Sequence, residues 1–231
     1  MSAESAPRLE AMLFDLDGTL ADTLPDLADA LATAADVGAV DEARLRPLVS
    51  GGARQMIANV LTPGADPARH DRARHRFLAE YRERIAVRTR LFPGIDPILR
   101  TLEGHGVRWG VVTNKHAWLT EPLLESLDLE RRAACVVSGD TAAHPKPHPA
   151  PVLLACERLS VPPRTAVYVG DARSDITSGR AAGVTTVSAG WGYLNPDDPP
   201  ERWGADIDTR TPQDLLVWLR GALGARSMMA R

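Results

Sequence analysis

The chain is almost without lysine. Of 27 basic residues only Lys115 and Lys146 carry an ammonium, and the other 25 are arginine. So broad an arginine preference reads as sequence bias, and the two surviving lysines mark places where a compact ammonium is needed. Residues 22–90 hold no lysine, which excludes Schiff-base chemistry from that stretch. Cysteine is equally scarce. Cys135 falls in an expected strand and Cys156 in an expected helix. Two buried free thiols are expected, with a reducing cytoplasm as their setting. No apolar run approaches the roughly 20 residues that cross a bilayer, so no membrane partner is expected. The opening MSAESAPRLEAM lacks a basic region followed by an apolar one, so no signal peptide is expected. A net charge of −3 gives no basic surplus for nucleic acid.

What is present is alternation. Apolar, β-rich runs at Ala11–Phe14, Val107–Thr113, Ala134–Ser138, Ala166–Val169 and Val184–Ser188, with a weaker sixth at Ala205–Thr209, alternate with helix patterns near 97–104, 117–127, 149–159, 175–182 and 212–222. Gly106 and Gly183 suit helix C-caps. This order predicts an α/β fold, a Rossmann-like doubly wound parallel sheet with helices on both faces. The pattern breaks once. Leu24, Leu27 and Leu31, then Met56, Ile57, Val60 and Leu61, then Phe77, Tyr81 and Ile85 mark helical faces with no strand between them. The 231 residues therefore divide into an α/β core, 1–21 and 91–231, and an inserted helical cap, 22–90, hinged near Ala21–Thr23 and Arg88–Pro93. The arginine-rich stretch from Ala68 to Arg90 reads as a solvated helix face.

In such a sheet, ligands bind beyond the carboxyl ends of the strands. Asp15 and Asp17 follow the first strand, in FDLDGTL. Thr113, Asn114 and Lys115 follow the second, Lys146 lies in a loop after the third, and Asp171 and Asp175 follow the fourth, in GDARSD. Clustered carboxylates repel unless a cation holds them. Oxygen ligands without a His/Cys pattern favour Mg2+ over zinc, and Mg2+ suggests a phosphate-bearing ligand. Thr113 and Lys146 would hold its oxygens, with backbone amides of the Asp17–Thr19 turn as further donors and Gly18 leaving room.

DLDGTL, VVTNK, the lysine of KPHP and GDARSD resemble, in order and spacing, the four motifs of the haloacid dehalogenase superfamily, and the likeness spans essentially the whole chain. The helical insertion resembles the cap of the subgroup that includes phosphoglycolate phosphatases. SGGARQM and GWGYLNPDDPPERWGAD look more particularly like a bacterial branch acting on N-acetylmuramic acid 6-phosphate. The resemblance implies that Asp15 is the nucleophile, that Asp17 protonates the leaving oxygen and then activates water, and that Thr113 and Lys146 bind the phosphoryl group. It implies Mg2+ on Asp15, Asp17 (through its carbonyl) and Asp171, with Asp175 ordering a bound water or Lys146. Gly18, Asn114, Lys115 and Arg54 are candidates for substrate contact, Lys115 standing equally well for a surface residue and Arg54 reaching a substrate carboxylate.

The expected activity is hydrolysis of a small phosphorylated metabolite, phosphoglycolate or N-acetylmuramic acid 6-phosphate. A dehalogenase would not need Asp17, and the lysine-free cap disfavours a phosphonoacetaldehyde hydrolase. A sugar-phosphate mutase using the same four motifs stays open, as does a catalytically idle binding protein. Oligomeric state is not legible.

Overall fold

Near-continuous apolar strands demand cover on both faces, and the elements supply it. The structure, a computed structural model, describes residues 9–61 and 66–229, with side chains through residue 224. The leader reading concerns residues that lie, through position 8, outside that range. In chain order the elements are β1 (Ala11–Phe14), β2 (Ala21–Asp22), α1 (Leu24–Ala35), α2 (Glu42–Leu45), α3 (Gly52–Val60), α4 (Pro67–Glu83) and β3 (Arg90–Leu91). Then come α5 (Ile95–Gly104), β4 (Arg108–Val112), α6 (Ala117–Ser126), β5 (Cys135–Val137), α7 (Ala150–Arg158), β6 (Ala166–Gly170), α8 (Arg173–Ala182), β7 (Thr185–Ala189), β8 (Ile207–Thr209) and α9 (Pro212–Met229).

Six strands form one sheet in the order β5-β4-β1-β6-β7-β8, every pair parallel. The chain winds outward from β1 in both directions, so β1 sits at the switch in strand order, where crevices open in doubly wound folds. Side chains alternate across the sheet. Met12 and Phe14 face a cluster with Ile98 and Leu102 of α5, Leu123 of α6 and Leu219 of α9. Ala11 and Leu13 face the other side, with Val152 and Cys156 of α7 and Ala182 of α8. Both cysteines are free and buried, and burial pushes each thiol up to about 11.

The expected strands all form. Helices differ at their ends: α5 begins at Ile95, directly after Gly94 at φ +97°, and α9 runs on to Met229. Gly183 caps α8 in the left-handed region, as expected. The two segments expected as hinges, near Ala21–Thr23 and Arg88–Pro93, lie side by side. They pair with each other in a two-residue antiparallel ladder, Ala21 with Leu91 and Asp22 with Arg90. Behind the ladder, the buried Asp26 carboxylate accepts from the Thr89 amide at 2.8 Å, the Thr89 hydroxyl at 2.7 Å and the Arg88 amide at 2.9 Å.

Helices α1–α4 lie between β2 and β3 and share an apolar cluster of their own. Leu24, Leu27, Leu31, Met56, Ile57, Phe77 and Tyr81 are all buried in it, and Leu119 and Tyr193 from outside the insert join it. Among the described residues no helix is long and apolar enough to cross a membrane.

Candidate active site

Parallel register brings distant residues to one sheet edge. Asp15 leaves β1 with its amide held by the Val169 carbonyl at 2.9 Å, and Thr113 leaves β4 with its amide on Val137 at 2.9 Å. Asp171 follows β6 directly. Lys146 comes from a long loop, and Asn114 fixes it: its Nδ2 donates to the Lys146 carbonyl at 3.0 Å, and the Lys146 amide donates to its Oδ1 at 2.9 Å. Asn114 lines the cavity, yet its amide group is engaged with backbone rather than free for substrate.

The Lys146 ammonium is buried between two carboxylates, 2.8 Å from Asp15 Oδ1 and 2.6 Å from Asp175 Oδ1, and it donates to the Tyr168 hydroxyl at 3.0 Å. Burial alone would lower its pKa. Asp15 and Asp175 overcome that and hold it above the ordinary lysine value, so it stays charged. Asp175 is committed here: Oδ1 also accepts from Tyr168, and Oδ2 from the Ala172 amide at 3.0 Å. Asp175 thus ties the lysine to the start of α8.

Oxygen atoms of Asp15, Asp171 and Asp175 lie within 4.8 Å of one another. Burial pushes Asp15 up to about 7, with Lys146 opposing and Asp175 reinforcing the shift. Burial, then Asp15 and Asp175, push Asp171 up to about 8. Such carboxyls resist ionising without a compensating cation. The Lys146 contact to Asp15 Oδ1 is close but off hydrogen-bond geometry, which leaves that buried oxygen without a directed partner among the described residues. An all-oxygen, anionic, buried donor set with one uncommitted atom fits a hard divalent cation.

Small residues permit this crowding. A Cβ on Gly18, whose φ is +85°, would lie 2.1 Å from Asp171 Oδ2, and one on Gly192 would lie 2.2 Å from the Asp171 Cβ. The expectation that the turn's amides serve as anion donors is corrected at two positions: Gly18 N bonds Ala21 O at 3.0 Å and Thr19 N faces Leu16 O at 3.4 Å. Gly18 contributes space there. Thr19 instead gives its hydroxyl to Asp171 at 2.8 Å.

Asp17 points away from the acidic cluster. Its Oδ1 accepts from the Thr23 hydroxyl at 2.6 Å and from Lys115 Nζ at 2.8 Å. The Lys115 side chain is only 8% exposed, which corrects the surface reading, and its ammonium also reaches the Tyr81 hydroxyl of α4 at 3.3 Å. Burial would lower the Lys115 pKa, but Asp17 and then Tyr81 raise it above the ordinary value.

These groups open into a cavity of about 310 Å³ roofed by α3 and α4. Arg54 of α3 lines it. So does Arg74 of α4, which sequence reading left on a solvated face. Arg74, Phe77 and Tyr81 follow at i, i+3 and i+7, one helical face, and that spacing was the available signal. Arg74 Nη2 meets His75 at 3.2 Å, while its Nε is buried without a partner among the described residues. Tyr168 and Tyr193 were also missed as site residues. Nothing in a strand tyrosine or a Pro-rich loop announces a hydroxyl aimed at a lysine or an amide aimed at a carboxylate. Trp191 Nε1 donates to Thr19 O at 3.0 Å and ties the late loop to the turn after β1, while Trp203 Nε1 donates within the loop to Asp198 O at 3.1 Å.

Residues 12–189 match the haloacid dehalogenase-like hydrolase family, a span that includes Asp15, Asp17, Thr113, Lys146, Asp171 and Asp175. The chain belongs to that family. It is 41% identical over 219 residues to the N-acetylmuramic acid 6-phosphate phosphatase of Pseudomonas aeruginosa, covering 94% of this chain and 97% of the relative. It is 40% identical over 208 residues to a phosphoglycolate phosphatase of Xanthomonas campestris pv. campestris, covering 89% and 94%. Its fold matches the crystal structure of a predicted phosphoglycolate phosphatase from Haemophilus somnus with a TM-score of 0.82, at 24% identity, over 94% of this chain and all of the other. The chain is thus an enzyme of the haloacid dehalogenase-like hydrolase family, and both relatives named above are phosphatases.

Proposed function

We propose that this hydrolase is a Mg2+-dependent phosphomonoesterase that works through an aspartyl-phosphate on Asp15, taking a small ester that also bears a carboxylate. The observation that carries this reading is the buried triangle of Asp15, Asp171 and Lys146, nucleophile, cation ligand and ammonium, at the mouth of one cavity. Asp15, Asp171 and the Asp17 carbonyl would hold the cation, with Asp175 behind them. When bound, Mg2+ would offset charge on the carboxylates and the phosphoryl oxygens.

The chain's own residues supply the rest. An Asp15 oxygen attacks phosphorus, and the ester oxygen leaves with a proton from Asp17. Asp17 then takes a proton from water, whose oxygen attacks the aspartyl-phosphate, freeing inorganic phosphate and restoring Asp15. Thr113 and Lys146 bind the phosphoryl oxygens throughout, where low dielectric makes the ammonium most effective. Residues 22–90 act as the cap, excluding water at the first step. Arg54 and Arg74 take the distal carboxylate.

Volume favours the larger ester. A cavity of about 310 Å³ adjoins, at Arg54 and Arg74, a cleft of about 390 Å³ lined also by His70 and Asp71. Ligand pockets of roughly 300 Å³ and above suit molecules well beyond two carbons. An N-acetylmuramate-type sugar acid phosphate fits this space better than phosphoglycolate. The test is a panel of both esters and common sugar phosphates, ranked by kcat/KM with and without Mg2+, with products identified. Free phosphate from the sugar acid ester at the highest kcat/KM supports the reading. An isomerised sugar phosphate points to a mutase, and no metal-dependent turnover to a binding protein.

A further inference from the structure

A single loop, 190–193, touches the cation site, both hinge segments and the helical insert at once. Its contact with the site is the Tyr193 amide, which donates to Asp171 Oδ2 at 2.7 Å. Its contacts with the hinge are the Tyr193 hydroxyl, which donates to Asp22 at 2.8 Å and accepts from the Leu24 amide at 2.9 Å, and the Tyr193 ring, edge-on to Phe92 at 6.2 Å. Its contact with the insert is Arg46, at the start of the short 3-10 turn Arg46–Gly51. The Arg46 Nε donates to Gly192 O at 3.2 Å, and Nη2 reaches the carbonyls of Trp191 and Gly192, each at 3.0 Å. The same guanidinium lies 5.1 Å over the Tyr193 ring. Among the described residues, no other side chain of the insert donates to backbone outside it. Gly192 cannot back away, since even a methyl there would strike Asp171 and the Gly18 carbonyl.

We propose that Arg46 and Tyr193 are positioning residues that couple seating of the helical insert to cation binding at Asp171. With the insert seated, the Arg46 fork clamps two consecutive carbonyls, and the next amide, that of Tyr193, is aimed at the carboxylate. With the insert lifted, Arg46 leaves those carbonyls, and the Tyr193 hydroxyl loses its fixed distance to the hinge. The amide that orients Asp171 is then free to drift. Linkage makes the coupling reciprocal: a cation on Asp171 favours the seated insert as much as seating favours the cation. The enzyme thereby assembles its metal site when the cavity is covered. The inference rests on the proposed reading of Asp171 as a cation ligand.

The test is titration calorimetry of Mg2+ into the full-length, metal-stripped protein, with hydrogen exchange of the 190–193 loop and of α1–α3 measured on the same samples. Arg46→Met is expected to weaken Mg2+ binding about tenfold, within the usual range of coupling between sites. It is also expected to abolish the Mg2+-dependent protection of α1–α3 while leaving the metal-free melting temperature near wild type. Arg46→Lys, which keeps one charged donor, is expected to recover part of the affinity. Tyr193→Phe keeps the amide and the ring against Phe92 but loses the hydroxyl contacts with Asp22 and Leu24, and a loss of about threefold is expected; this variant carries the test if Arg46→Met does not fold. Wild-type affinity in both Arg46→Met and Tyr193→Phe overturns the coupling. So does a loss that Arg46→Lys does not relieve and that tracks a fall in metal-free stability. Absence of Mg2+ binding by the wild-type protein overturns the metal reading itself, and the coupling with it.

Discussion

Lys115 and Asp17 form a part-buried ion pair, Nζ to Oδ1 at 2.8 Å, although they stand 98 positions apart in sequence. With Thr23 on the same oxygen, the pair fixes where the Asp17 carboxyl stands relative to Asp15. Lys115→Met is expected to lower kcat by about 10- to 100-fold with KM changed little, since the lysine would act on Asp17, the proposed acid–base residue, and not on substrate. Steady-state kinetics checks this. A rise in KM at constant kcat would instead make Lys115 a substrate ligand.

Asp26 holds the returning hinge by accepting from two amides and a hydroxyl. Asp26→Ala leaves those donors without their partner in a buried place. It is expected to cost roughly 2–4 kcal/mol in denaturant unfolding. A loss under about 0.5 kcal/mol, the range of surface substitutions, would mean the hinge is held elsewhere.

Without a cation, burial holds Asp15 and Asp171 up at about 7 and about 8. In the unfolded chain such carboxyls titrate near 4. Between about pH 4 and about pH 8 the folded protein therefore binds more protons than the unfolded one, and stability contributed by these groups falls as pH rises through that window. Metal-stripped protein is expected to melt several degrees lower at pH 8 than at pH 5.5, and Mg2+ to raise the melting temperature more at pH 8. Thermal melts with chelator and with Mg2+ test both statements. Equal Mg2+ effects at the two pH values would separate these carboxylates from the cation.

Arg54 and Arg74 are expected to act on the far end of the substrate. Arg54→Ala and Arg74→Ala should each raise KM for a carboxylate-bearing phosphate ester by about tenfold, the scale of one charge-assisted contact. Neither should move KM for an uncharged aryl phosphate by more than about twofold. Equal effects on both substrates would remove the carboxylate contact.

The sheet was legible because parallel strands leave continuous apolar runs, and the chemistry because its residues cluster at the ends of those runs: Asp15, Thr113 and Asp171 each sit one residue past a strand. Less was legible where a contact depends on backbone or on a single side-chain atom. β2 and β3 are two residues each, too short for any period to show. Asn114 reads as a candidate substrate contact until its amide meets the Lys146 backbone. Tyr168 reads as a core aromatic until its hydroxyl is found between Lys146 and Asp175. Arg74 was hidden among neighbouring arginines whose side chains are solvated, although its spacing to Phe77 and Tyr81 placed it on the buried face. Lys115 was visible as one of two lysines, but its partner could be found only once β1 and β4 lay side by side.

The central claim is that Asp15 itself carries the phosphoryl group. Protein quenched in acid during turnover of a phosphate ester with Mg2+, reduced with borohydride and mapped by mass spectrometry, should show the aspartate-to-homoserine change at residue 15, and Asp15→Asn should show neither the change nor turnover. Phosphate release at wild-type rate by Asp15→Asn, or a trapped modification on another residue, would contradict the account.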